Sequence, residues 1–300
     1  MTRASAWAAM TMLVVAVGLS RPAAARPPEA IRLGVLGGMF RDVPPPLIQA
    51  AATPFRDLFK KQTGLDGHVE VVSDHEALAA RLQAEKLHVG VFHGFEWAWV
   101  KDRHPDLIPL AVTRPPLRPQ AVLVVKTDSK VAAPSDLKGE CVAIPLATKA
   151  HCQLYLDRLT ATLPAGCCGA KRMPDSGPDD VMDAVGDGKV AAALLDIGAW
   201  TAYQNNRPGR AKLLRVLAQS EPFPPTVVVY RKEAIGSDLV QKIKAGLVST
   251  KDNAQGRAFL LLWKLKGFED VPPGYDDELR AVAGQYPAPR PGMGMMAVPE

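Results

Sequence analysis

The sequence predicts an α/β fold of two lobes, with mainly parallel sheets flanked by helices and two hinge crossovers between the lobes. Three observations predict it. Short apolar runs of strand type alternate with stretches of helical period, the pattern of a layered α/β sheet. Two proline-rich bridges, 114–119 and 221–225, interrupt that alternation, so the chain leaves a first lobe once and returns to it once. The two parts also echo each other: Lys86 is followed by an apolar run, His93 at +7 and Trp97 at +11, and Lys189 by an apolar run, Asp196 at +7 and Trp200 at +11. Ligands of such sheets sit at the C-terminal strand ends. The echo therefore predicts a polar group and an aromatic from each lobe at a shared cleft. Lobe one is expected to comprise residues 26–114 and 226–300, and lobe two residues 115–225.

The elements follow in order. Residues 31–36 read as a strand stopped by Gly37 and Gly38. Ile48, Ala51, Ala52, Phe55, Leu58, Phe59 and Gln62 keep helical spacing, and Gly64 supplies a C-cap. Residues 68–72 form a strand, and Ser73 with Glu76 has the spacing of a capping box for a helix to about Lys86. Residues 89–92 and 107–112 are strands. Residues 121–125 are continuously apolar, as in a strand buried on both faces. A strand at 141–144, a helix from Ala150 to Leu163 and a strand at 171–173 come next. Pro178 suits the first position of a helix to Gly186. Strands at 190–195, 213–217 and 226–230 lead to three closing helices at about 237–248, 253–265 and 276–284. The tail from Pro287, with Met293, Met295 and Met296, is expected to fray rather than bind metal.

Residues 1–25 read as a secretory signal peptide. Arg3 gives a basic start, 6–19 is apolar but too short to cross a bilayer, and Ala23-Ala24-Ala25 is the small-residue cleavage pattern. Cleavage removes Arg3 and Arg21 and takes the net charge from +5 to +3. No basic stripe is interleaved with aromatics, so nucleic acid is not an expected partner. The mature chain has no further stretch long and apolar enough to span a membrane, so an exported, soluble chain is expected. The four cysteines, Cys141, Cys152, Cys167 and Cys168, lack the CxxC spacing of a zinc site. If the strands they flank are parallel neighbours, Cys141 can reach Cys167 or Cys168. Cys152, at the other end of a helix, is then left as a thiol near the cleft.

The layout resembles the phosphonate-binding (PhnD-like) family of type II periplasmic solute-binding proteins of ABC transporters, over about residues 31–268. The segments that carry the likeness are IRLGVLGG, FKKQTGLDGHVEVVSDHEALAARL, LHVGVFHGFEWAWV, SDLKGECVAIP and GKVAAALLDIGAW, in that order. The resemblance implies a monomeric, cofactor-free receptor. It would capture a phosphonate- or phosphate-like oxyanion between its lobes and deliver it to a permease in the inner membrane.

Two departures from the family pattern bear on the ligand. The family places a Ser/Thr-rich turn at a helix N-terminus, where anions are favoured. Here that turn reads Ala147-Thr148-Lys149-Ala150-His151, with one hydroxyl. Phe95-Glu96 stands where the family has small hydroxyl residues, and a carboxylate repels an anion unless a cation sits beside it. The expected ligand residues are Met39, Phe40, His93, Phe95, Glu96 and Trp97 from lobe one, with Thr148, Lys149, His151 and Asp196 from lobe two. Trp97 and Trp200 are expected to pack on the ligand body. His93, Glu96, His151, Cys152 and Asp196 are also of metal-ligand type, which raises a metal ion or metal chelate as an alternative ligand. A sensory module presenting its ligand to a membrane kinase or redox system would have the same fold. An exported enzyme is disfavoured: there is no GxSxG or HExxH, and Ser73, Asp74 and His75 are better read as a helix start.

Overall fold

The computed structural model describes residues 30–40, 53, 56–57, 60–61, 63–164, 169–173 and 176–289. The signal peptide, most of the helix expected at 48–62, Cys167, Cys168 and the methionine tail lie outside the described residues.

Lobe one is built on a six-stranded sheet whose spatial order is β11-β4-β10-β3-β1-β2. Its strands are β1 (Ala30–Leu36), β2 (Asp66–Val72), β3 (Val89–Phe92), β4 (Leu107–Arg114), β10 (Val227–Arg231) and β11 (Gly267–Glu269). Lobe two is built on a five-stranded sheet in the order β7-β6-β8-β5-β9. Here the strands are β5 (Ala121–Lys126), β6 (Cys141–Pro145), β7 (Gly169–Met173), β8 (Ala192–Asp196) and β9 (Leu214–Gln219). The helices are α1 (His75–Gln83), α2 (Gly94–Val100), α3 (Ala150–Thr162), α4 (Pro178–Gly186), α5 (Ile197–Asn206), α6 (Pro208–Ala211), α7 (Ser237–Val248), α8 (Ala254–Leu262) and α9 (Tyr275–Gln285).

The sheets are mixed rather than mainly parallel. β1 pairs in parallel with β2 and β3, and β6 with β7 and β8. β10 runs antiparallel to β3 and β4, β11 antiparallel to β4, and β5 antiparallel to β8 and β9. The crossovers are the physical reason. β5 enters lobe two, and β10 returns to lobe one, as an interior strand against the prevailing direction. Strand β11, a three-residue edge strand, had no recognisable apolar run.

Each sheet buries both faces. In β5, Val122 and Val124 join the core on one side of lobe two, while Leu123 and Val125 join a core shared by both lobes, as period-two alternation requires. In β1, Ile31, Leu33 and Val35 face a separate core under α7 and α8. Helix α1 starts one residue later than the capping-box reading. Asp74 is its N-cap, accepting from the Ala77 N–H at 2.8 Å, and the Ser73 hydroxyl donates to Asp74 at 2.7 Å. A carboxylate is the stronger acceptor for the orphan N–H groups of a first turn. Cys141 is exposed and Cys152 buried, and neither forms a disulfide among the described residues. Among the described residues, no helix is long and apolar enough to cross a membrane.

Candidate functional site

A cavity of about 1040 Å³ opens between the two sheets, and both lobes line it. Strand ends build it. β3 ends at Phe92, and His93 takes the extended N-cap conformation before α2 (φ −59°, ψ 147°). β6 ends at Pro145, and Lys149 is the N-cap of α3. β8 ends at Asp196, the N-cap of α5, whose side chain accepts from the Gly198 N–H at 3.0 Å. These positions match the rule that ligands gather at C-terminal strand ends.

Gly94 explains how α2 is held to the hinge. A Cβ there would fall 2.5 Å from the carbonyl oxygen of Pro224 and 2.6 Å from its Cβ. Only glycine permits this approach of α2 to the returning crossover. The contact brings Phe95 to Phe223, ring centroids 5.8 Å apart.

On the lobe-one wall, His93 Nδ1 lies 2.5 Å from Glu96 Oε2, and its ring stacks on Phe95 at 5.1 Å. Glu96 is also 4.0 Å from His75 Nδ1. On the lobe-two wall, Asp196 meets Lys149 Nζ at 2.9 Å and His151 Nε2 at 3.0 Å. His151 Nε2 is buried and stands out of line for a hydrogen bond to Asp196. The His151 ring packs on Phe223 at 5.5 Å.

Burial by itself would raise the Asp196 pKa. The close approach and charge of His151, together with Lys149, outweigh it and hold the carboxyl well below the usual carboxylate range. His151 is pushed down, chiefly by burial, with Asp196 opposing and the charges of Lys149 and His93 adding to the effect. Burial, reinforced by Asp196, pushes the Cys152 thiol well up, which disfavours its thiolate form.

Of the expected ligand residues, Met39, Phe40, His93, Phe95, Thr148, Lys149, His151 and Asp196 line the cavity. Phe40 is braced edge-on by Trp263, with centroids 5.0 Å apart. Trp97 and Glu96 do not line it. Trp97 is packed into the shared core against Phe92, because one turn into α2 the chain faces the sheet rather than the cleft. Trp200 packs likewise on Tyr203 in the lobe-two core. Glu96 sits behind His93. The Thr148 hydroxyl donates to the Pro145 carbonyl at 2.6 Å, which closes the turn before α3. Among the described residues no group of three His, Cys, Asp or Glu side chains is arranged to hold a metal ion, so His93, Glu96, His151, Cys152 and Asp196 do not form the suggested metal set. Sequence reasoning missed Phe223, which is 1% exposed and lies under the cavity floor. Its only signal was an aromatic inside a proline bridge.

Two α/β lobes on two crossovers, with one cavity at their facing strand ends, define a two-lobe solute-binding protein of the periplasmic type. Similar solved structures share this fold. XAC2383 from Xanthomonas citri, bound to chloride, is 15% identical over 86% of this chain and 98% of its own, with a TM-score of 0.65. PhnD1 from Prochlorococcus marinus, in complex with methylphosphonate, is 14% identical over 86% and 98%, with a TM-score of 0.60. A binding protein component of an ABC phosphonate transporter from Pseudomonas aeruginosa is 14% identical over 84% and 85%, with a TM-score of 0.56. No curated protein matches the sequence. The family model for the periplasmic phosphonate-binding protein of ABC transporters matches residues 38–273. The chain belongs to that family, and it is a periplasmic substrate-binding protein of an ABC transporter.

Proposed function

We propose that this protein captures a small phosphonate-type oxyanion between its lobes and releases it to a permease in the inner membrane, without chemical conversion. One observation carries the reading: His93 and Phe95 of lobe one and Lys149, His151 and Asp196 of lobe two line the same cavity. Only a closed molecule can engage a ligand with both sets, so binding shifts the population toward closure. In this reading residues 26–114 and 226–300 move as one body and 115–225 as the other. The protein acts as a monomer, without nucleic acid, after cleavage behind Ala25.

The test is small-angle scattering of the mature chain with and without methylphosphonate and inorganic phosphate, alongside calorimetry. Compaction on adding either probe is the expected result. A chain that binds neither probe and stays equally open in both is not an oxyanion receptor. Peptide sequencing of periplasmic material is expected to begin at Arg26.

A further inference from the structure

The cavity departs from an ordinary anion cup in one respect: each of its walls carries a carboxylate paired with an imidazole. On lobe one the pair is Glu96 with His93, at 2.5 Å, and on lobe two Asp196 with His151, at 3.0 Å. The two rings belong to one aromatic chain, in which His93 stacks on Phe95, Phe95 meets Phe223, and Phe223 meets His151. At the start of α3 the one hydroxyl, that of Thr148, is turned onto the Pro145 carbonyl. Lys149, half exposed, is engaged by Asp196.

We propose that the anionic head of the ligand is clamped between the imidazoles of His93 and His151, one from each lobe. In this arrangement Glu96, behind the His93 ring, and Asp196, on the cavity wall beside His151, are positioning residues, and capture takes up protons from solvent. The inference rests on the oxyanion reading above and names the donors of that same site.

The physical case has three parts. On His93 the Glu96 carboxylate at one ring nitrogen fixes the tautomer and strengthens the opposite N–H as a donor, while Asp196 acts on His151 through its charge. Once its imidazole is protonated, each acid–imidazolium pair is neutral overall. The carboxylates therefore cease to repel an anion, which removes the objection that Glu96 raised from sequence. Finally, the empty cavity opposes protonation of His151. Burial disfavours it most, Asp196 favours it, and Lys149 and His93 disfavour it. An anion placed between the rings supplies the missing negative charge and favours the charged form of His151. The other charged groups nearby are Lys264, which lines the cavity, His75, which faces Glu96 from α1, and Asp179 at the cavity rim, which pairs with Arg207 at 3.3 Å.

Linkage fixes the sign. Protons are taken up on binding, so affinity rises as pH falls through the range in which free imidazole is neutral and bound imidazole charged. The experiment is titration calorimetry of the mature chain with methylphosphonate at about pH 6 and about pH 8, on either side of the ordinary histidine range. Two buffers of unlike ionisation enthalpy report the protons transferred. The comparison variants are His93→Gln, His151→Gln, Glu96→Gln and Asp196→Asn.

The expected result is net proton uptake and tighter binding at the lower pH. His93→Gln and His151→Gln should each lose about tenfold or more in affinity, the loss of one charge-assisted hydrogen bond. Glu96→Gln should bind with reduced proton uptake. Binding without uptake, or uptake that persists undiminished in both histidine variants and so belongs to the probe, overturns the clamp and leaves the receptor reading standing. Absence of binding by the unaltered chain overturns both. Should His151→Gln fail to fold, the proton count of the unaltered chain and of Glu96→Gln still decides.

Discussion

At the foot of lobe one, the Arg32 N–H donates to His88 Nδ1 at 3.0 Å, and the Arg32 guanidinium lies 3.1 Å from Nε2. Burial first, and the Arg32 charge second, lower the His88 pKa to about 4, with Glu85 opposing. In the unfolded chain the ring titrates near 6.5, so below that the unfolded state binds more protons than the folded one. Stability contributed by neutral His88 is therefore complete above pH 6.5 and is lost as pH falls toward about 4. Urea midpoints measured across that window should fall with acid, and His88→Gln should flatten the slope. Gly94 makes a different single-residue demand. Gly94→Ala drives a Cβ into the Pro224 backbone and should cost about 1–3 kcal/mol in urea unfolding, as overpacking does. Of the cavity residues, His93 and Asp196 were legible because a polar residue directly after an apolar strand must lie at the strand end. Glu96 and Trp97 were misplaced, since only the docked helix shows which of its faces meets the cleft. Phe223 was not legible at all, because its place under the cavity comes from the hinge path.

Among the elements, β5 and β10 matter most. β5 lies between β8 and β9, and β10 between β3 and β4. Neither sheet closes until a strand from across a crossover has inserted into it, so the pairing is non-local. The burial of β5 follows: Leu123 is fully buried in the core common to both lobes. Leu123→Ala should cost about 2–5 kcal/mol by urea denaturation, through lost burial and a residual cavity. The continuous apolar character of 121–125 announced burial on both faces. Strand direction was not readable, because an apolar run is the same in a parallel or an antiparallel neighbourhood.

For the whole molecule, helix α9 is the tie between lobes. The Trp99 indole N–H donates to the Tyr286 carbonyl at 2.7 Å, and the Tyr286 hydroxyl donates to Glu221 on the returning crossover at 3.1 Å. Arg158 of lobe two pairs with Glu221 at 2.9 Å and lies 4.6 Å from the Tyr286 ring centroid. Arg118, on the outgoing crossover, donates to Glu278 of α9 at 2.6 Å. Arg158→Ala removes the lobe-two anchor, and the distance distribution between labels on the two lobes should broaden in double electron–electron resonance, with little change in fold. Such a result would locate part of the resistance to opening in this contact. The sequence by itself determined the alternation of strands and helices, the two crossovers and the residues at strand ends, because these follow from local periodicity and from proline. Only the tertiary structure decided strand direction, the burial of both tryptophans and the pairing of an acid with an imidazole on each cavity wall. Those depend on which faces meet once distant segments pack, and no local pattern records that.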